Sequence, residues 1–292
     1  MALTVSPPGP LTGRIAVPGD LRLTLSLMAL GMLAESRIEL HSASAANDIG
    51  RYRKFLGENG ASFEDSPDGF AMRGKRFSGD VVINATVPDA ALAATVAGAV
   101  FSARSARIRG GMSGRARFAE PLIALLKRLG VSEGDIAPDG DDVVIRGVAF
   151  VPGDVIPVRC QWAFESVVAA AIAGGKPAVV SFPPGMPPLS ERTLKLLGCS
   201  FDPVNASQDM NLELERRRAR AAGERIPELR RIRREDGAAS SFDLPGDTTI
   251  AAALAGCAAI IQRSDLTVKG VMWESGRRGF FEAMRRMKAH IS

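Results

Sequence analysis

The chain has 292 residues, of which 46% are hydrophobic and 24% charged, and its formal net charge is +5. That composition is globular, long enough for one or two domains with a real core, and excludes a disordered chain. It also lacks any apolar run near the about 20 residues of a membrane span, the cysteines of a disulfide framework (three are present) and the histidines of a His-rich metal site (two are present).

Aromatic residues make up only 5%, so small residues must fill much of the core. Base-stacking recognition of nucleic acid is disfavoured for the same reason. A mild positive excess suits an anionic small molecule instead. The opening MALTVSPPGPLTGR has no basic stretch followed by an apolar one, so no secretory signal is expected. Few, scattered cysteines point to a reducing, cytoplasmic setting.

Read in chain order, the sequence is a repeat. The first copy contains IAVPGDLRLTLSLMALGMLAESRIEL, an apolar stretch, Pro-Gly-Asp, an apolar helix and a short strand, followed by the amphipathic IGRYRKFLGENGA. A second copy runs from a helix at Asp89–Ala103 through the strand ARIRG to a helix at Phe118–Gly130. A third runs from Phe164–Gly175 through PAVVSF to Ser190–Gly198, and a fourth reads FDLPGDTTIAAALAGCAAIIQRSDLTV and then RRGFFEAMRRMKA.

The first helix of each copy is apolar on nearly all sides and is expected to be fully buried. The second carries a basic face, as at Arg51, Arg53 and Lys54, and is expected at the surface. Pro67-Asp68-Gly69 and Pro138-Asp139-Gly140, each followed by a strand, read as hairpin turns. Each unit is therefore β-α-β-α-β-β. Between the third and fourth copies lies Glu213–Asp236, rich in arginine. It reads as a solvated helix or connector, or as an anion- or partner-binding strip, and Gly223 and Pro227 argue against one continuous helix.

This βαβαββ repeat headed by Pro-Gly-Asp resembles the enolpyruvyl transferase family, in its EPSP synthase (3-phosphoshikimate 1-carboxyvinyltransferase) branch. The family motif PGDKSISHRALMLGALAEG is similar to PGDLRLTLSLMALGMLAES here, and VPGDPSSAAFFLAAALL followed by NPTRTGLIDTLREMGA is similar to the stretch from Leu244 to Ala289. The resemblance implies an α+β fold, the α-β prism. Its expected division is a complete three-unit domain over residues 15–235 and a partial second domain from 1–14 plus 236–292. It implies transfer of the enolpyruvyl group of phosphoenolpyruvate to shikimate 3-phosphate, with no cofactor and no metal. Several Arg and Lys side chains would converge on the two anions, and a positioned acid and base would move protons.

Carried over residue by residue, the resemblance puts Leu21 where the family's lysine contacts phosphoenolpyruvate, with Arg22 and Thr24 where it has serines. The family's Asn-x-Gly-Thr loop falls near Val87–Ala90, and its Arg-Pro element places an anion-binding arginine at Arg117. The phosphate-binding Ser-Ser-Gln falls on Gln161-Trp162-Ala163, leaving Gln161 as the polar contact. Asp247 matches the second Pro-Gly-Asp, Arg277 matches an arginine of the Asn-Pro-Thr-Arg loop, and Ser190 is ambiguous. Asp20, Asp48 and Asp247 also read as helix N-caps, Asp89 reads as an N-cap in preference to a ligand contact, and Arg117 also reads as a solvated arginine.

The family extends two units beyond the fourth, carrying its acid/base Asp and Glu. The expected function is therefore that of an enolpyruvyl transferase homologue, degenerate and inactive as an isolated chain. The alternatives are a non-catalytic module for an anionic metabolite, a heteromer subunit, or, by fold analogy alone, an RNA-end-processing protein. The apolar flanks of a lone fourth unit are expected to be covered by a homo-oligomer, by a partner chain or by rearranged packing on the first domain.

Overall fold

The structure is a computed structural model and describes residues 9–84, 87–110, 116–151, 155–182, 194, 197, 199–204, 217, 221, 228–234, 240–273 and 278–291. Residues 12–146 open with strand β1 (Thr12–Ala16), helix α1 (Leu21–Ala34), β2 (Arg37–His41), α2 (Asn47–Glu58), β3 (Ser62–Ser66) and β4 (Gly69–Arg73). They continue with β5 (Asp80–Ile83), α3 (Asp89–Val100), β6 (Ser105–Ile108), α4 (Ala116–Arg128), β7 (Ile136–Asp139) and β8 (Asp142–Arg146). Then come β9 (Ile156–Pro157), α5 (Gln161–Gly174), β10 (Ala178–Phe182), β11 (Cys199–Pro203) and β12 (Glu228–Arg234). The last elements are β13 (Ser240–Asp243), α6 (Thr248–Ile260), β14 (Asp265–Lys269) and α7 (Gly279–Arg286).

Three four-stranded sheets share one plan. Their orders are β13-β2-β4-β3, β5-β6-β8-β7 and β9-β10-β12-β11. In each, the first two strands run parallel and the next two pairs antiparallel. Both expected hairpins form, as β3–β4 and β7–β8. This is the expected α+β repeat.

One strand is exchanged between copies. β1 precedes α1, yet it pairs with β14 of the fourth copy. The first position in the first copy's sheet is taken by β13, which precedes α6 and runs parallel to β2. The chain thus crosses twice between the first and fourth units, once at each Pro-Gly-Asp.

The helices α1, α3 and α5 pack on one another at the centre of the three sheets. Their sequences allow it: α3 reads DAALAATVAGAV, and small side chains let helix backbones approach closely. Leu23 to Ala34, Ala91 to Val100 and Ala163 to Ala173 are buried without interruption. Helix α2 instead buries only Ile49, Tyr52, Phe55 and Leu56, a single stripe.

Three sequence expectations need correction. The N-cap of α3 is Pro88, in extended conformation, and Asp89 is the first helical residue. The N-cap of α2 is Ala46, and Asp48 lies within the first turn. In both places the aspartate lies within the first turn, where its charge favours the positive end of the helix. The arginine-rich stretch is no connector at its end. Glu228–Arg234 forms β12, the strand that joins β10 to β11. Arg230 lies 5.4 Å over the ring of Phe201, and Ile232 is fully buried. Long arginine stems cover apolar surface while their charge stays in water. The expected helix at Ser190–Gly198 lies outside the described residues, apart from Leu194 and Leu197.

Candidate functional site

The two Pro-Gly-Asp turns lie against each other. The Asp20 amide donates to the Pro245 carbonyl at 2.9 Å, and the Asp247 amide donates to the Pro18 carbonyl at 2.8 Å. Gly19 and Gly246 form an antiparallel bridge between them. Each glycine is required by close approach. A Cβ on Gly19 would sit 2.2 Å from the Ser42 carbonyl oxygen, and one on Gly246 would sit 2.5 Å from a Val17 methyl. The pairing brings the N-termini of α1 and α6 side by side.

Both expected caps are present. The Asp20 carboxylate accepts from the Leu23 amide at 2.8 Å. Asp247 accepts from Thr249 and Ile250 at 2.7 and 3.2 Å, and its second oxygen accepts from the Leu21 amide of α1 at 3.5 Å. Asp247 therefore serves two helices at once, satisfying amides that have no partner within their own helix.

Under this junction lies a carboxyl group that sequence reasoning missed. Glu165, in the second turn of α5, is 1% exposed. Its Oε1 accepts from the Ser26 hydroxyl of α1 at 2.8 Å and from the Gln161 amide at 3.1 Å. Burial pushes the Glu165 carboxyl above the usual carboxylate range, against the opposing pull of the Ser26 and Gln161 hydrogen bonds and the Arg22 charge. Close by, the Tyr52 hydroxyl meets the Thr95 hydroxyl at 2.7 Å. Burial also raises the Tyr52 phenol, and the Glu165 charge adds to that, so Tyr52 is neutral. The signal in the sequence was one charge, Glu165, inside the otherwise uncharged helix QWAFESVVAAAIAG.

Of the six residues marked from the sequence, four surround this point. Arg22 is exposed on the first turn of α1. Thr24 is fully buried; its hydroxyl donates to the Asp20 carbonyl at 2.8 Å and accepts from the Ser44 amide at 3.5 Å. Gln161 is half-buried and bonds Glu165, and Asp247 is the shared cap. Arg117 lies in the first turn of α4, with its side chain outside the described residues, and Arg277 also lies outside them.

Beside the junction, past Ser42, opens a groove of about 890 Å³. Its polar lining includes Ser44, Asn47, Arg51, Arg53 and Asp68. These charges are engaged within the chain. Arg51 pairs with Asp48, and Arg53 pairs with Asp65 at 2.7 Å while lying about 5 Å over the rings of Phe63 and Phe70. Asp68 lies 3.2 Å from His41 Nδ1, and that hydrogen bond holds the Asp68 carboxyl below its usual range. Of the marked residues that are described, Arg22, Thr24, Gln161 and Asp247 are not among those lining this groove. Among the described residues, no cluster of three His, Cys, Asp or Glu is placed to hold a metal ion, and no helix is long and apolar enough to cross a membrane.

No family profile matches the chain. It is similar to the 3-phosphoshikimate 1-carboxyvinyltransferase of Desulforamulus reducens, 26% identical over 305 aligned positions that cover 100% of this chain and 65% of the relative. The enzyme of that name from Anaeromyxobacter dehalogenans is 27% identical and matches 99% of this chain and 62% of its own length. Among solved structures, EPSP synthase from Acinetobacter baumannii superposes with a TM-score of 0.69 at 16% identity, covering 98% of this chain and 62% of that one. The enolpyruvyl transferase NikO from Streptomyces tendae gives 0.63 at 12% identity, with 89% and 58% covered. The chain thus spans less than two thirds of the length of these relatives. Similarity along the whole of this chain to part of the curated enzymes, joined to the shared fold, supports this chain as a relative of the EPSP synthases and other enolpyruvyl transferases.

Proposed function

We propose that this chain is a degenerate enolpyruvyl transferase homologue that binds an anionic small molecule, bearing phosphate or carboxylate, at the paired Pro-Gly-Asp turns. By itself it does not turn over shikimate 3-phosphate and phosphoenolpyruvate. The observation that carries the loss of activity is Leu21. It starts α1 where the resemblance expects a lysine, and it packs against the core. A leucine supplies neither charge nor proton. Thr24 and Asp247 are consumed by the turns they stabilise, and among the described residues Arg22 is an exposed cation at the junction. Binding without chemistry is the reading these groups support best.

The reading includes a second polypeptide, either another copy or a different chain. Ile250, Ile260, Trp273 and Phe280 of the fourth unit are exposed. They are covered in the working assembly, since an apolar face of that kind marks an interaction surface. Cys160, Cys199 and Cys257 are not joined in disulfides, which suits a cytoplasmic setting.

Phosphoenolpyruvate is expected to raise Tm without forming product, and Arg22→Ala is expected to abolish the rise. Phosphate release from the two substrates, lost in Arg117→Ala, would show instead a working transferase. Light scattering with the chain alone tests self-association, and a monomer with an unchanged exposed face leaves a different chain as the partner.

A further inference from the structure

The carboxyl of Glu165 is more than apolar packing asks for at its place in α5. A helix packed among α1 and α3 would be served there by alanine, as at Ala169 and Ala170, which are fully buried on the same helix. Instead the chain buries an ionisable group and gives it two donors, Ser26 and Gln161. Among the described residues, the charged or titratable groups that act on it are Arg22 from α1 and Tyr52 from α2. α3 meets this cluster with the neutral Thr95, bonded to Tyr52.

We propose that Glu165 is a proton-binding residue coupled to the anion site at Arg22, so that capture of an anion draws a proton onto Glu165. The proposal rests on the anion-binding reading above and deepens it. Its cause is electrostatic. Ser26, which bonds Glu165, lies one turn after Arg22 on the same face of α1, and with the site empty the Arg22 charge favours the ionised carboxylate. An anion bound at Arg22 cancels that charge, and the carboxylate is left in a dry setting with only dipoles to stabilise it. It then takes up a proton, which resides on the carboxyl while Ser26 and Gln161 keep their hydrogen bonds to it. By linkage, the anion binds more tightly when Glu165 is already neutral. Affinity is therefore highest at low pH and falls as pH rises through the elevated Glu165 range.

The test uses the full chain and sodium sulfate, an anion whose own charge is constant from about pH 5 to about pH 8. Titration calorimetry at fixed ionic strength is expected to show affinity falling at least about fivefold over that range. Repeating it in two buffers of different ionisation heat is expected to show net proton uptake on binding. Glu165→Gln, an isosteric mimic of the neutral acid, is expected to bind sulfate equally across the range, at the wild-type low-pH affinity. Sulfate binding without proton uptake in the wild type overturns the proposal and needs no variant to fold. A pH dependence that survives in E165Q also overturns it, because it belongs to another group. In both cases the anion-binding reading stands. Failure of sulfate to bind either protein at any pH overturns both together.

Discussion

Helices α5 and α6 read almost alike, QWAFESVVAAAIAG and TTIAAALAGCAAI, and sit in opposite surroundings. Every residue of α5 from Ala163 to Ala173 is buried between α1, α3 and its own sheet. On α6 only Thr248 and Ala251 are buried, and Ile260 is 83% exposed. The difference lies outside the helices. α5 has two sibling helices and a four-stranded sheet; α6 has the two-stranded β1-β14 sheet and a small cluster of Val17, Ala251 and Phe281. A helix apolar on all sides needs neighbours on all sides. The unit is thus one third of a stable object, and its hydrophobic energy is realised only when other units surround it.

That contrast can be broken by mutation. Leu27→Ala on α1, where the side chain is 1% exposed, is expected to cost about 2–5 kcal/mol, measured by urea denaturation. Asp247→Ala removes one carboxylate that serves both α1 and α6, and is expected to cost about 0.5–2 kcal/mol. Asp48→Ala is the control; it caps nothing and is expected to change stability by less than about 0.5 kcal/mol. A cost for Asp247→Ala as small as that of Asp48→Ala would mean that the two turns hold together without the shared cap. Smallest of all, Ile260→Ala is expected to change the stability of the isolated chain by less than about 0.5 kcal/mol. The same variant is expected to weaken any complex that covers α6, by up to the roughly 1.5–3 kcal/mol that burying such a side chain supplies. Analytical ultracentrifugation with the covering chain reads that loss, and an unaltered complex would move the interface away from α6.

Much of the candidate site was legible because its signals are short-range. Asp20 and Asp247 act on amides two and three residues away, so Pro-Gly-Asp before an apolar run was enough to read two caps. The same rule failed at Asp89 and Asp48. An aspartate one or two residues past the cap and one at the cap look alike in sequence, and the backbone at Pro88 and Ala46 decided between them. Glu165 stood out only as a lone charge; its donor Ser26 is 139 residues away. The strand in ELRRIRR was hidden because its arginines mask the alternation that Ile232 obeys.

By itself, the sequence determined the units. Apolar periodicity, turn residues and caps act within a few residues of each other, so helices α1 to α6, both hairpins and the repeat were readable in order. Only the tertiary structure decided which strand completes which sheet, that the two Pro-Gly-Asp turns share one cap, and that Glu165 meets Ser26 of α1. Those outcomes depend on contacts between residues more than a hundred positions apart, and the similar apolar patterns of α5 and α6 are told apart by what the rest of the chain places around them.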